Sequence, residues 1–255
     1  MENSTALKVK SILVSQPEPK TENSPYALLA DRQKVKIDFR SFIHVEGVDV
    51  AEFRKEKINP KDYNAVILTS KNAVDHYFRV CEEMRIPISN DLKYYCISEA
   101  IAYYLQKYVV YRKRKIYFGN GKIADLVPML KKNKGETFLL PSSDILKPTI
   151  PDTLEAANLK FQRAILYNTV VSDLSDLENV FYDILVFFSP EGIKSLYKNF
   201  PDFKQNDTRI AAFGATTHAA VKERGLRLDI AAPTPEYPSM TKAIEEYIKE
   251  VNKGK

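Results

Sequence analysis

Short runs of apolar residues alternate along the chain with longer amphipathic segments. The apolar runs have the length of strands and are nearly continuous, which is typical of strands covered on both faces of a parallel sheet. They cover residues 11–15, 36–45, 64–70, 93–98, 116–118, 136–142, 163–171, 183–189 and 209–214. The amphipathic segments cover residues 26–32, 72–84, 99–108, 124–130, 151–159, 191–200, 216–225 and 239–251. Strands that alternate with helices predict an α/β fold built on parallel sheets.

The chain also contains a faint internal repeat. Residues 62–78 resemble residues 181–197 when Ser70 is aligned with Ser189, and the next strand–helix unit follows each of them at a similar spacing. A third pair is formed by residues 124–130 and 241–248. Self-similarity of this kind predicts two related α/β halves.

The repeat predicts how the ends of the chain are used. The first half has a fourth strand–helix unit that the second half lacks, whereas the N-terminal unit is left over. We therefore expect the N-terminal unit to join the C-terminal sheet. The predicted organisation is a discontinuous domain at 1–39 and 172–255, a second domain at 46–163, and two linker strands, 40–45 and 164–171, paired as an antiparallel ladder. Two such domains leave a cleft, which is a preferred place for a ligand.

Nearly every predicted strand ends in a hydroxyl-bearing residue at the start of a helix. Serine and threonine are favoured N-caps, and capping alone explains each of them. Ligands of open α/β sheets, however, lie beyond the carboxyl ends of the strands, where helix N-termini favour anions. The sequence therefore predicts a site for a large polyanion. The candidate residues are Ser15, Ser70, Lys71, Asn72, Ser98, Ser142, Ser143, Ser189, Thr216 and Thr217.

Composition narrows the class of protein. The net charge is +5 and the sequence pI is about 8.9, which favours an anionic partner. The lysines are scattered, and the basic run 112–115 is interpreted as solvated surface, so a nucleic-acid partner is not expected. No apolar run is long enough for a transmembrane helix, and the first ten residues lack the apolar core of a secretory signal. Cys81 and Cys96 have no metal-ligand spacing, and we expect a cytoplasmic protein.

Familiar catalytic motifs are absent. His44, His76 and His218 lie in separate elements, and residues 119–122 (GNGK) do not have the spacing of a phosphate-binding loop. The sequence therefore does not favour an enzyme that uses a metal ion, a nucleotide or a nicotinamide cofactor. Tyr167 lies on a predicted linker strand. A tyrosine in a strand usually serves packing, but on a linker strand it could project into the cleft and donate a proton to a leaving hydroxyl.

Five motifs occur in an order that resembles the uroporphyrinogen-III synthase family, over roughly residues 60–250. They are LTSKNAV (68–74), FLLPSSD (138–144), LYNTV (166–170), FFSPEG (187–192) and AFGATTHAAV (212–221). The resemblance implies two α/β domains joined by a β-ladder. It also implies conversion of linear hydroxymethylbilane, which carries eight carboxylates, to uroporphyrinogen III with inversion of the last pyrrole ring. It implies a monomer that uses no metal or organic cofactor, and a hand-off of the substrate from hydroxymethylbilane synthase. The charge pattern and the absence of a spanning run, taken from the sequence itself, predict no nucleic-acid or membrane partner.

The resemblance also implies roles for individual residues. Tyr167 matches the tyrosine proposed as the acid that assists loss of the substrate hydroxyl. Lys147 lies near a basic position that would pair with an acetate or propionate. Hydroxyl positions lining the cleft match Ser70, Ser189 and Thr216.

The sequence departs from the family pattern in three places. Residues 98–102 (SEAIA) lack the usual glycine and threonine and place Glu99 where an anion would approach. Ser143 stands at a common glycine position, and the GPTT-like turn is replaced by Gly214-Ala215-Thr216-Thr217. The alternative is a non-catalytic polyanion-binding or regulatory module with the same fold. A nucleotide-sugar or phosphate enzyme is a third interpretation that lacks a phosphate-loop signature.

Overall fold

The computed structural model describes residues 8–252, which form two compact units. Unit 1 contains the described residues up to His44 and those from Val170 onward, and unit 2 is Val45–Thr169. The ends of the predicted first domain, residues 1–7 and 253–255, lie outside the described residues, and residues 1–7 are also most of the N-terminal segment that lacks the apolar core of a secretory signal. Within residues 8–252, no helix is both long and apolar enough to cross a bilayer.

Unit 1 is a five-stranded parallel sheet with helices on its faces. Its strand order is β11-β10-β9-β1-β2. The N-terminal strand lies inside this sheet, with Leu13 opposite Leu185 of β9 and Asp38 of β2. The elements are β1 (Ser11–Val14), α1 (Pro25–Gln33), β2 (Lys36–Phe39), β9 (Ile184–Phe187), α7 (Pro190–Asn199), β10 (Arg209–Phe213), α8 (Ala215–Glu223), β11 (Leu228–Ala232) and α9 (Met240–Asn252).

Unit 2 holds most of a six-stranded sheet, whose order is β3-β8-β7-β4-β5-β6. All four residues of β4 are fully or almost fully buried, as expected for a central strand between two helical layers. The elements are β3 (Ile43–Gly47), α2 (Val50–Lys55), β4 (Ala65–Leu68), α3 (Lys71–Glu83), β5 (Lys93–Cys96), α4 (Glu99–Leu105), β6 (Ile116–Phe118), α5 (Ile123–Lys132), β7 (Phe138–Ser143), α6 (Thr149–Ala156) and β8 (Phe161–Val171).

The predicted run 36–45 forms two strands in the structure. The first, β2, ends at Phe39, and the second, β3, begins at Ile43. β3 lies beside β8: Ser172 N donates to Phe42 O, and Val48 N donates to Leu166 O, both at 3.0 Å. From Phe42 to Val48 the residue number rises along β3 while that of the partner falls from Ser172 to Leu166, so the two strands are antiparallel. β8 also pairs in parallel with β7 from Phe161 to Tyr167, and it therefore belongs to the sheet as well as to this pair.

Two elements were not expected from the sequence. α2 is a six-residue helix capped by Asp49, whose carboxylate accepts from Ala51 N at 2.6 Å. It is too short to show helical periodicity. β11 has a burial pattern that mixes buried and half-buried positions, because it is the edge strand of its sheet.

Candidate active site

Ser70 connects β4 to α3. Its backbone is extended (φ −156°, ψ 164°), and its Oγ accepts a hydrogen bond from Ala73 N at 3.0 Å. This is the N-cap geometry expected for serine at a helix start. The cap fixes the hydroxyl at the carboxyl end of a central strand.

Tyr167 lies in β8, opposite Ser143 of β7. Its side chain is only 6% exposed and belongs to the same apolar cluster as Val74 and Tyr77 of α3. The ring of Tyr167 therefore packs in the core, as tyrosines in strands usually do. Its hydroxyl, however, has a hydrogen-bond partner.

The phenol oxygen of Tyr167 lies 3.0 Å from Ser70 Oγ. Ser70 Oγ already accepts from Ala73 N, and its own proton can be donated to Tyr167. In that arrangement the phenol proton is free for a third group. The alternative arrangement, in which Tyr167 donates to Ser70, has the same oxygen positions.

Burial is the main cause that raises the pKa of Tyr167, and the negative charge of Asp144 acts in the same direction. The hydrogen bond with Ser70 lowers the pKa of the phenol and opposes these effects. The phenol is therefore neutral at physiological pH and carries a proton that it can donate. A hydrogen bond from Ser70 stabilises the phenolate that donation leaves behind.

His76 holds the ring of Tyr167 from the side of α3. The two rings are stacked, with centroids 4.8 Å apart and planes inclined by 19°. His76 Nδ1 lies 3.2 Å from Arg79 Nε. A guanidinium can only donate, so Nδ1 accepts and the imidazole proton is on Nε2. Burial and then the charge of Arg79 lower the pKa of His76, which keeps the ring neutral.

Arg79 ties this group to the backbone of two strands. Its Nη2 donates to Leu166 O at 3.1 Å and to Val48 O at 2.8 Å. Its Nη1 pairs with Glu83 Oε1 at 2.9 Å. The guanidinium packs directly over Gly47, where a Cβ would lie 2.8 Å from Cζ of the arginine. Arg79 thus links the residue before Tyr167 to the histidine that stacks on it.

Ser142 and Ser143 are not helix caps, and this part of the prediction was wrong. Both lie inside β7, and α6 begins only at Thr149. They are occupied by Arg163 of β8, whose Nε donates to Ser142 Oγ at 2.9 Å and whose Nη2 donates to Ser143 O at 2.8 Å. β7 continues through these residues because β8 pairs with it along its whole length.

The strand end beyond Ser143 does contact the tyrosine segment. Asp144 N donates to Tyr167 O at 3.1 Å, and Asp144 Oδ1 accepts from Thr169 N at 2.8 Å. Asp144 therefore fixes the backbone on both sides of residue 168.

Three of the predicted binding residues of unit 2 are exposed. Lys71 and Asn72 begin α3, and Lys147 lies in the loop before α6. Lys71 Nζ lies 5.2 Å from the centre of the Tyr104 ring. Of these three residues, Lys71 and Asn72 adjoin Ser70 in the chain, so the structure brings them near the Ser70–Tyr167 pair.

The predicted residues of unit 1 divide into two kinds. Ser189 caps α7, with Oγ accepting from Gly192 N at 3.3 Å, and Thr216 is exposed in the first turn of α8. Thr217 is 1% exposed, and its hydroxyl has no hydrogen-bond partner among the described residues. The N-cap of α8 is Gly214, whose φ of +87° suits glycine, so neither threonine is the cap.

The sequence alone does not reveal the roles of His76 and Arg79. Their spacing of three residues places them on one face of α3, but the partners of that face, Tyr167 and Leu166, are distant in the chain. The cysteines take no part in this chemistry. Burial raises the pKa of the Cys81 thiol to about 11 and that of Cys96 to about 12. Residues 8–252 contain no cluster of histidine, cysteine and carboxylate side chains that could hold a metal ion.

Comparison with known proteins agrees with this architecture. The family model described as uroporphyrinogen-III synthase HemD matches residues 26–242. A uroporphyrinogen-III synthase from Chlorobaculum parvum is 31% identical over 144 residues, which are 50% of this chain and 57% of that protein. One from Saccharomyces cerevisiae is 27% identical over 151 residues, 51% of this chain and 54% of that protein. Each match spans little more than half the length of the relative.

Two solved structures share the fold. Uroporphyrinogen-III synthetase from Helicobacter pylori has a TM-score of 0.61 at 19% identity, covering 95% of this chain and 100% of that one. A mutant uroporphyrinogen III synthase from Thermus thermophilus has a TM-score of 0.56 at 13% identity, covering 96% and 100%. The family model covers most of the chain, and these structures share its α/β architecture. The chain belongs to the uroporphyrinogen-III synthase family.

Proposed function

We propose that this protein is a uroporphyrinogen-III synthase that closes hydroxymethylbilane to uroporphyrinogen III with inversion of the last ring and loss of water. One observation carries the proposal within the family: the neutral phenol of Tyr167, 3.0 Å from the capped hydroxyl of Ser70. This pair provides a proton donor whose conjugate base already has a hydrogen-bond partner.

In the first step, Tyr167 donates its proton to the leaving hydroxyl of the bilane. The carbon–oxygen bond breaks, water departs, and the terminal ring is left as an electrophilic protonated azafulvene opposite the Tyr167 phenolate. Donation of this kind contributes about 10²–10⁴-fold to a rate. Ser70 stabilises the phenolate during the step.

Ring closure then needs orientation more than further acid–base groups. The substituted carbon of the last pyrrole attacks the azafulvene and forms a spiro intermediate. One bond of this intermediate breaks, the chain recloses at the other carbon, and the proton lost at that carbon restores the phenol of Tyr167. Holding the bilane so that the substituted carbon is nearest favours this route over direct closure.

The eight carboxylates of the substrate suit the residues that follow the strands. We propose Ser70, Lys71, Asn72 and Lys147 as binding residues in unit 2, and Ser189 and Thr216 in unit 1. Helix N-termini favour carboxylates through their free N–H groups and dipoles. Ser142 and Ser143 would act indirectly, because Arg163 occupies them, and Thr217 would act through its buried packing in the first turn of α8.

The remaining expectations complete the proposal. The protein would act as a cytoplasmic monomer without a metal or organic cofactor. Its substrate would come directly from hydroxymethylbilane synthase.

A coupled assay tests the activity. Hydroxymethylbilane is generated in situ, the protein is added, the products are oxidised, and uroporphyrin isomers I and III are separated by chromatography. We expect mainly isomer III. Only isomer I, the product of spontaneous closure, in the presence of folded protein would overturn the proposal and leave the non-catalytic polyanion-binding module as the better interpretation.

A further inference from the structure

Exposed apolar side chains are concentrated in one part of unit 2. Of the eleven large apolar residues that the structure describes as exposed, five lie between the second turn of α4 and the end of β6. We call this region the 103–118 surface. Its exposed apolar residues are Tyr103 (76%), Tyr108 (36%), Val110 (80%), Tyr111 (44%) and Phe118 (38%). Single exposed apolar residues are ordinary, but a cluster indicates a surface that meets a partner.

The apolar residues lie on both sides of one projecting loop. Tyr103, Tyr111 and Phe118 line a shallow depression of about 300 Å³. Tyr108 and Val110 line another of about 220 Å³ on the other side. The base of the loop is fixed, while its tip, Val110 and Tyr111, is open to solvent.

Contacts with α3 fix that base. The ring of Tyr108 stacks on Phe78 with centroids 4.4 Å apart, and its hydroxyl donates to Asp75 Oδ1 at 2.5 Å. Tyr104 donates to the same carboxylate at 2.8 Å. The loop is therefore presented in a defined conformation.

The same loop carries a concentrated positive charge. Residues 107–115 contain five basic residues and no acidic one. Lys107 pairs with Asp75 at 3.4 Å and Lys115 with Asp91 at 3.0 Å. Arg112 donates to the backbone oxygen of Asn90 at 3.4 Å, and its charge, after that of Lys115, helps to lower the pKa of the Asp91 carboxyl. Lys113 and Arg114 form no ion pair with a carboxylate of the described residues. Two cations without an ion pair, Lys113 and Arg114, and the partly compensated Arg112 thus directly follow the apolar tip.

An apolar tip beside exposed cations fits the interface of an anionic bilayer. Tyrosine and aliphatic side chains enter the boundary between headgroups and acyl chains, and lysine and arginine remain with the anionic headgroups. Tyrosines and cations alone would also suit a single-stranded nucleic acid, but that ligand offers nothing to Val110, the most exposed apolar side chain of the set. We propose that the 103–118 surface docks the protein reversibly on membranes that contain anionic lipids.

This docking would be peripheral and independent of the proposed activity. It revises the expectation that the protein has no membrane partner, which rested on the absence of a spanning segment. It also gives the basic run 112–115 a role other than solvation.

The first test measures binding of the full chain to vesicles by flotation. We expect binding to vesicles with 30 mol% phosphatidylglycerol and little binding to pure phosphatidylcholine. Each cation contributes about fivefold, so the variant R112Q/K113Q/R114Q should bind on the order of 100-fold more weakly. The matched control is K131Q/K132Q/K134Q, which removes three exposed cations at the end of α5, outside the 103–118 surface, and should have a much smaller effect.

The second test measures insertion of the tip. The chain has no tryptophan, so Val110→Trp introduces a single tryptophan, whose emission can be excited separately from that of the tyrosines. We expect its emission to shift to shorter wavelength on anionic vesicles and to be quenched by lipids brominated on their acyl chains. Phe181→Trp is the control, because Phe181 is 61% exposed in unit 1 and lines a depression together with the acidic Glu178.

Three results would overturn the proposal. One is an equal loss of binding in the two triple variants, which would show that net charge alone attracts the protein. Another is an unshifted Val110→Trp emission on vesicles that do bind the protein. The third is tighter binding of single-stranded DNA or polyglutamate, with neither competed by vesicles, which would identify a nucleic-acid or acidic-protein site instead.

Discussion

Helices α3 and α7 occupy the same position in the internal repeat. Side chains of each helix donate hydrogen bonds to backbone oxygens at the end of the β3–β8 pair that lies in the same unit. Both begin at a capping serine, Ser70 or Ser189. In unit 2, Arg79 of α3 donates to Val48 O and Leu166 O, at one end of the pair. The two halves of the chain therefore share a structural device as well as a fold.

In unit 1, neutral side chains of α7 donate the corresponding hydrogen bonds to the backbone of the β3–β8 pair. Ser195 of α7 donates to Phe42 O at 2.5 Å, and Asn199 donates to Ser172 O at 3.0 Å, at the other end of the pair. Ser195 stands six residues after its capping serine, as His76 does in α3. Its hydroxyl is buried and already engaged, so it can only hold the backbone.

The difference shows where the chemistry is concentrated. In unit 2 the charge of Arg79 permits a neutral histidine beside it, and the histidine positions a tyrosine with a proton to donate. In unit 1 the same places serve packing and hydrogen bonding alone. We therefore expect substitutions in the two helices to differ more in their effect on turnover than in their effect on stability.

The largest contrast concerns the tyrosines. Tyr167→Phe should lower turnover to isomer III by about 10²–10⁴-fold, since it removes the donated proton while keeping the ring. Spontaneous dehydration of the substrate would limit how far the rate of this variant can fall. Tyr182→Phe is the matched control in unit 1, because Tyr182 is also buried and donates to Asp38 Oδ2 at 3.0 Å. Equal rates for the two variants in the coupled assay would remove Tyr167 from the chemistry.

The second contrast concerns the ties to β3 and β8. Arg79→Met should lower the free energy of unfolding by about 2–4 kcal/mol, because it removes charge-assisted hydrogen bonds to two strand carbonyls. Ser195→Ala should cost about 1–2 kcal/mol, the usual value for one buried neutral bond. Urea denaturation followed by circular dichroism measures both. An arginine variant no less stable than the serine variant would contradict this interpretation.

A smaller effect is expected at the two caps. Ser70→Ala and Ser189→Ala should each lower stability by about 1 kcal/mol, since each removes one N-cap bond. Only Ser70→Ala should also slow turnover, because it takes away the partner of the Tyr167 phenol and raises the pKa of that phenol. Equal turnover in the two variants would show that Ser70 is a cap and nothing more.

The smallest effect concerns pH. The pKa of His76 is lowered in the folded protein, so the unfolded chain binds its proton more readily. Stability should therefore fall as pH drops below about 6.5, down to the lowered pKa. His76→Phe keeps a ring against Tyr167 and should make the curve flatter between pH 5 and 7. Urea midpoints measured across this range test it; an unchanged slope would show that His76 does not titrate in this way.

The α/β class followed from the sequence because parallel strands buried on both faces leave continuous apolar runs. Hydrophobicity continues from residue 36 through Phe42 although the strand ends at Phe39, and only the predicted organisation separates 36–39 from the linker strand 40–45. The pairing of β1 with β9 agrees with the topology that the repeat suggested. The exact domain boundaries stay a prediction.

The candidate site was predictable only in part. Ser70 and Tyr167 each stood out locally, one by its place after a strand and the other by its place on a linker strand. His76 and Arg79 did not, because their function depends on strand backbones that reach α3 only through the fold. Ser142 was given the wrong local role because the partner that occupies it, Arg163, is 21 residues away in the next strand.

The position of β1 inside the unit 1 sheet has a consequence for synthesis of the chain. One edge of β1 pairs early with β2, but its other partner, β9, leaves the ribosome much later; Ser11 N bonds to Asp183, 172 residues further on. The whole of Val45–Thr169 is translated within that interval. The nascent protein must therefore keep an apolar strand edge unpaired while its middle part folds, and this edge is where a chaperone would be needed most.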